Sequence, residues 1–192
     1  MPKIILEAGD ISKFEGDAIV CYSDTDISYK KSNVILQSLK YPSQRGYRSI
    51  VKSRLSGDEK EGKNKLLTEL AAIGYVNLGN AVITKAYDLK VKHFIFVPYT
   101  DYDDESNHIN SVLLHQALRS AFTLATIYEI KRLAIPILRI KIPKKEFMDR
   151  ILSGIIEYKA VKTLSEYEVL SVTVAIAKEF ANQSLREVVI YR

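Results

Sequence analysis

Asp10 follows directly on the apolar run Ile4-Ile5-Leu6 and a Gly9 turn, a place where a carboxylate can do chemistry. A carboxylate accepts hydrogen bonds and donates none, and a short turn after a strand can aim it into a cleft. The same residue also fits a plain turn or a cap on the segment that follows, so both roles stay open. A second strand, "DAIV", ends at Cys21, with Tyr22-Ser23-Asp24 beyond it. Cys21 has the residue type of a nucleophile, yet no histidine or asparagine stands in a recognisable partnering motif. A small buried residue at a strand end is the expected role. Further along, Arg139, Lys141, Lys144 and Lys145 follow the apolar run "LAIPIL" and could meet phosphates as charges, or simply form a solvated basic loop.

Other constellations carry less. His93, His108 and His115 lack metal-ligand spacing. The acidic run Asp101, Asp103, Asp104 and Glu105 lacks the glycine and ligand spacing of a calcium loop, and acidic residues ahead of a helix suit its dipole in any case. No metal and no cofactor is expected. One cysteine excludes an internal disulfide framework. A net charge of +5 spread over 28 basic and 23 acidic residues describes a soluble surface rather than a nucleic-acid groove. The 12 tyrosines are scattered instead of alternating with arginine, which gives single-stranded nucleic acid no stacking platform. No stretch approaches the ~18 apolar residues of a membrane span, and the amino terminus has no apolar signal region. A cytoplasmic location follows by default.

The elements that must position these residues alternate along the chain. Short apolar runs at 3–6, 17–21, 81–87, 92–99, 132–138 and 186–192 read as strands. Helices are expected at 26–41, 46–55, 66–75, 107–129, 144–156 and 167–181. The clearest is 107–129, where Ile109, Val112, Leu113, Leu118, Ala121, Phe122 and Ala125 recur at three- and four-residue spacing. "GDEKEGKNK", 57–65, reads as a solvated loop rich in breakers. With 192 residues and no linker, this predicts a single layered α/β domain whose ligands sit beyond the strand ends.

Several of these segments together resemble the macrodomain family. "GDISKFEGDAIV" resembles the family's opening, "GYRSIVKSRLSG" (46–57) the helix after its glycine-rich loop, and "LGNAVITKAYDLKVKHFIFVPY" (78–99) its Gly-Glu-Ala-x-x-Thr-x-Ala-Tyr segment with the next strand. "HQALRSAFTLATIYEIKRLAIPIL" (115–138) and "AIAKEFANQSLREVVIYR" resemble its long helix and strand and its terminal helix and strand. The resemblance covers most of the chain in the right order. It implies a three-layer α/β/α sandwich around a mixed, mostly parallel sheet, one domain over 1–192 with insertions near 25–45 and 140–165, and a cleft for ADP-ribose or a related adenine nucleotide.

Carried over position by position, Asp10 matches the residue that accepts from the adenine amino group, and Ile11 the residue bordering the adenine. Tyr191 matches an aromatic that can stack on the base, though a core or edge role fits it as well. Where the family continues its second strand with Asn-Ala-Ala-Asn and several glycines, this chain has Cys21-Tyr22-Ser23-Asp24. Asp24 falls on the asparagine that contacts the distal ribose and matters in hydrolytic members, which leaves it a weak catalytic candidate. Gly46, followed by Tyr47, stands where several glycines are usual. Arg139-Ile140-Lys141 replaces the glycine-containing second phosphate loop. Glycines matter there because backbone N–H groups approach a pyrophosphate closely only where no Cβ intervenes. The expectation is a binding module with weakened or altered ligand preference. An ADP-ribosyl hydrolase is disfavoured, and a scaffold or protein-interaction domain with a filled cleft is the third reading. Packing of Tyr22, Leu39, Tyr41, Ile140 or Phe147 into the cleft would select the third.

Overall fold

The structure is a computed structural model, and it describes residues 2–23, 25–28, 57–87, 91–98, 111–137, 166–180 and 184–192. Six strands form one sheet: β1 (Lys3–Glu7), β2 (Ala18–Ser23), β3 (Val82–Lys85), β4 (His93–Pro98), β5 (Arg132–Pro136) and β6 (Glu187–Tyr191). Their order is β1-β6-β5-β2-β4-β3. Every pairing is parallel except that of β3 with β4 at the edge. Three helices accompany them among the described residues: α1 (Gly57–Ile73), α2 (Ser111–Ile127) and α3 (Glu166–Glu179).

Both faces of the sheet are covered, which is why its strands read as nearly continuous apolar runs. On one face Val20, Ile95, Leu133 and Ile190 pack against Leu118 and Phe122 of α2 and Ile176 of α3. Phe122 and Phe180 lie 5.7 Å apart, and an Arg119–Glu179 ion pair ties the two helices at the surface. On the other face Ile19, Phe94, Phe96 and Val189 pack with Leu66 and Leu70 of α1. The expected three-layer α/β/α arrangement around a mixed, mostly parallel sheet is present.

Two local expectations are corrected. Residues 57–65 belong to α1 rather than to a loop. Gly57, Gly62 and Asn64 look like breakers, but burial of Leu66 and Leu70 further on anchors the run as a helix. Residues 26–28 are not the start of a helix. Asp26 bridges to Tyr75, and its Oδ1 accepts from the Ser28 backbone N–H at 2.9 Å and from the Ser28 hydroxyl at 2.5 Å. Such an Asx turn competes with helix initiation. Gly74, at φ +72°, ends α1 in a left-handed conformation that glycine adopts without strain, and its carbonyl accepts from Ile27 and Ser28. The helices expected at 46–55 and 144–156 lie outside the described residues, as does the rest of 26–41.

One charged side chain organises the amino edge of the sheet. Asp17, just ahead of β2, accepts from Lys92 Nζ at 2.7 Å and from the Lys131 and Arg132 backbone N–H groups at 3.0 Å each. Its own carbonyl accepts from the Lys92 and His93 N–H groups. Asp17 thus holds β2 against both neighbours, β4 and β5. Burial alone would raise its pKa, but the hydrogen bonds from Lys92, Arg132 and Lys131 prevail and hold it below the ordinary carboxylate value.

Gly16, beside it, meets a steric demand. A Cβ there would lie 2.3 Å from two ring atoms of Phe14. Gly16→Ala is expected to push the Phe14 ring from its place and to lower stability by about 1–3 kcal/mol, the usual range for overpacking. Urea unfolding of the variant checks this.

Candidate functional site

The carboxyl ends of the parallel strands share one edge, and the candidate residues gather there. After β1 the chain turns through Gly9 and Asp10 into a short 3-10 turn, Ile11–Lys13. The Lys13 N–H donates to the Asp10 carbonyl at 2.9 Å, and the Phe14 N–H donates to that of Ile11 at 3.0 Å. Ile11 and Phe14 point inward and are buried, whereas Asp10 is exposed. Burying two apolar side chains of a four-residue stretch fixes the turn and leaves Asp10 outside, above the sheet edge.

Tyr191 ends β6 beside this turn. Its ring is 8% exposed and meets Phe14 edge-on, with centroids 6.3 Å apart and planes at 81°. The ring is therefore packed among Ile11, Phe14 and Val189 rather than offered as an open stacking face. Burial raises the phenol pKa, the Glu7 charge and a hydrogen bond to Glu7 raise it further, and Asp10 adds a smaller effect in the same direction. Arg132 acts against these. Its guanidinium, 5.6 Å from the Phe14 ring centroid, also donates to the Glu15 carbonyl and forms an ion pair with Glu187.

The edge opens at the middle of the sheet. β2 pairs with β5 only through Ala18–Leu133 and Ile19–Ala134, although β2 continues to Ser23 and β5 to Pro136. Pro136 has no N–H to donate. Beyond Ile19 the two strands no longer share a ladder, which is the kind of place where α/β sheets hold ligands. Ser23, 5% exposed at the end of β2, has a hydroxyl with no partner among the described residues.

Of the residues singled out from sequence, the structure brings Asp10, Ile11 and Tyr191 together. Cys21 lies in the same apolar cluster beneath them. Asp24, Gly46, Tyr47, Arg139, Ile140 and Lys141 lie outside the described residues, as do Leu39, Tyr41 and Phe147. Tyr22 does not enter this group; it is buried on the α2–α3 face of the sheet. Glu7, Phe14 and Ser23 are the participants that sequence reasoning missed. Glu7 follows the apolar run Ile4–Leu6 at the end of β1, which is a weak signal, and Phe14 carries none until the turn is folded.

Cys21 is fully buried, and burial pushes its thiol pKa well above the ordinary value. Its Sγ–H makes a long contact of 3.9 Å to the Ile19 carbonyl. A buried thiol without a thiolate-stabilising neighbour is inert. In the folded chain Cys21 is expected not to react with a thiol-specific chromogenic reagent at pH 8 over an hour, and to react in full once the chain is unfolded in guanidinium.

No group of three or more histidine, cysteine, aspartate or glutamate side chains among the described residues could hold a metal ion. His93 opens β4 and meets Tyr128 edge-on at 5.7 Å, and His115 lies in α2. No helix among the described residues is long and apolar enough to cross a membrane.

Comparison with known proteins agrees with the architecture. Residues 59–144 match the family model described as the Macro domain. No curated protein matches the chain by sequence. Among solved structures, a Trypanosoma brucei macrodomain in complex with ADP-ribose superposes with a TM-score of 0.60 at 15% identity, over 98% of this chain and 62% of that one. The macrodomain of Thermus aquaticus DarG gives 0.58 at 11% identity, over 100% and 99% of the two chains. A macrodomain of Oceanobacillus iheyensis gives 0.57 at 15% identity, over 98% and 84%. The chain thus spans about three fifths of the length of the trypanosomal protein. The chain therefore has the macrodomain fold, and its residues 59–144 match the Macro domain family.

Proposed function

We propose that the chain is a binding module for ADP-ribose or a related adenine nucleotide, with its adenine end retained and its phosphate and distal-ribose end rebuilt. The observation that carries this is the placement of Asp10. Its exposed carboxylate follows β1 on a turn locked by buried Ile11 and Phe14, near Tyr191, at the carboxyl edge of the sheet, along which β2 and β5 also part. The trypanosomal macrodomain of the same fold was solved with ADP-ribose.

Sequence supports the altered half of the proposal. Arg139-Ile140-Lys141-Ile142-Pro143-Lys144-Lys145 contains no glycine, and Asp24 has no amide to donate. Hydrogen bonds to charged groups are worth about 1.5–3 kcal/mol each, so two missing backbone donors correspond to roughly a hundred- to ten-thousand-fold in affinity. Weak binding follows. The missing amide at position 24 also weighs against hydrolysis, and so for a binder over an ADP-ribosyl hydrolase. We further read 1–192 as one domain with insertions near 25–45 and 140–165.

Calorimetric titration of ADP-ribose into the folded chain tests the reading. The expected result is saturable binding with a Kd weaker than about 10 µM, the affinity left when two such donors are lost from a tight site. Absence of heat up to millimolar ligand would reject it and turn attention to protein partners.

A further inference from the structure

Among the described residues β1 is an outer strand, paired on one side only, with β6. The Lys3 N–H donates to the Arg186 carbonyl at 2.8 Å, and the Glu7 carbonyl accepts from the Arg192 N–H at 2.9 Å. Backbone groups alternate in direction along a strand, so Lys3, Ile5 and Glu7 face β6 while Ile4 and Leu6 point away from it. The N–H and C=O groups of Ile4 and Leu6 therefore have no backbone partner among the described residues. An open strand edge is a template for another strand unless proline, a bulge or charge blunts it.

Here the charges invite one particular strand. β1 reads Lys3-Ile4-Ile5-Leu6-Glu7, with a cation at one end, a carboxylate at the other and apolar residues between. Laid antiparallel on itself about Ile5, it sets Lys3 opposite Glu7, Ile4 opposite Leu6 and Ile5 opposite its own copy. In that register the Ile4–Leu6 pairs are the hydrogen-bonded ones, which uses every outward backbone group of both strands. Lys3–Glu7 falls at a non-hydrogen-bonded position, where facing side chains stand closest. Both side chains are exposed, and neither has an ion-pair partner among the described residues. Leu6, 53% exposed, gains cover from Ile4 of the second copy. A parallel alignment would set like charges opposite, and a slip of two residues would leave both charges unanswered. β3, the other outer strand, ends in Lys85 and has no carboxylate to match it.

We infer that this edge is a self-association surface, on which a second copy of the chain docks antiparallel through β1. The contact is isologous, with its two-fold axis through Ile5. The two sheets run on as one, and the Asp10 turns, at the carboxyl edges of the two copies, face opposite ways. Glu7 then ends two pairs, with Tyr191 inside its own sheet and with Lys3 across the contact. One short strand buries far less than a permanent dimer needs, so the association is weak and concentration-dependent. The inference is independent of the nucleotide reading.

The test is sedimentation equilibrium of the full chain from about 10 µM to 1 mM, where a reversible dimer with a Kd on the order of 100 µM is expected. Lys3→Glu and Glu7→Lys each set like charges opposite at both ends of the contact and should weaken the dimer by about tenfold or more. Mixed together, these two variants should pair with each other about as well as wild type pairs with itself. One then carries only carboxylates at positions 3 and 7, and the other only amines. Leu6→Pro, which removes an outward N–H without touching the β6 ladder, should abolish the dimer. Should Glu7→Lys fail to fold, Lys3→Glu and Leu6→Pro carry the same measurement. A wild type that stays monomeric at 1 mM overturns the inference. So does a dimer indifferent to these variants, which forms through another surface. Ile4 and Leu6 amides that resist hydrogen exchange in the monomer at about 10 µM would mean that another segment of this chain covers the edge, and would overturn it too.

Discussion

Asp17→Ala is expected to cost about 2–4 kcal/mol of folding free energy, visible as a fall of roughly 1–2 M in the urea midpoint. Three donors from two other segments converge on this carboxylate, two of them backbone N–H groups at the start of β5. Lys92 contributes least, because its side chain is 72% exposed and surface ion pairs are worth little. The larger loss lies in the Lys131 and Arg132 amides, which share this acceptor, a side chain only 16% exposed. Asp17→Asn keeps the shape and one acceptor oxygen but not the charge, and should fall between alanine and wild type. The pH dependence has a definite sign. The folded pKa of Asp17 is depressed, so its contribution is present above the unfolded value of about 3.9 and is lost as pH falls through the folded value. The wild type should therefore lose stability over acid pH more steeply than Asp17→Ala, and the two unfolding free energies should converge at low pH. Denaturant titrations from pH 6 down to pH 2.5 check both statements.

Asp10→Ala is expected to weaken ADP-ribose binding by about ten- to a hundredfold, the value of one hydrogen bond to a carboxylate. The two roles open to Asp10 separate cleanly in this variant. A residue that only caps the turn would cost about 0.5–2 kcal/mol of stability on replacement and leave affinity alone. A residue that meets the base would do the reverse, since an exposed side chain away from packing usually changes stability by no more than about 0.5 kcal/mol. Asp10→Asn sharpens the distinction, because asparagine caps a turn as well as aspartate does. Its carbonyl still accepts but carries no charge, so affinity should drop by less than in Asp10→Ala. Measuring Kd and the urea midpoint on the same preparations decides between the roles.

The sheet was readable because burial on both faces imposes apolar runs. Phe94-Ile95-Phe96-Val97 and Val188-Val189-Ile190 announce themselves without any knowledge of their neighbours. α2 was readable for a related reason: Leu118, Ala121, Phe122 and Ala125 all face the core and their spacing records it, although Val112, counted in the same stripe, is exposed and Leu114, left out of it, is buried. α1 was half hidden, because the sequence of its first turns, rich in glycine and charge, looks like a loop, and Leu66 and Leu70, which anchor it, come only in its second half. At the site, Asp10 and Ile11 were visible through their place after a strand and through family resemblance. Tyr191 was visible only as one of two options, and its packing against Phe14 supplies what the sequence could not. The Glu7–Tyr191 pair joins the two ends of the chain. Asp17 reaches Lys131 and Arg132 across 114 and 115 positions. No local pattern records such pairings, because they exist only once the parallel strands have been ordered.

That order also determines where a ligand should act. The most direct measurement is a map of backbone amide shifts in the isotope-labelled chain as ADP-ribose is added. The perturbed amides are expected to cluster at the carboxyl edge, at Gly9–Phe14, Cys21–Ser23 and Tyr191–Arg192, while those of Lys85, Lys92 and Lys131 at the opposite edge stay in place. Shifts confined to the Lys85–Lys92–Lys131 edge, or none anywhere at millimolar ligand, would contradict it.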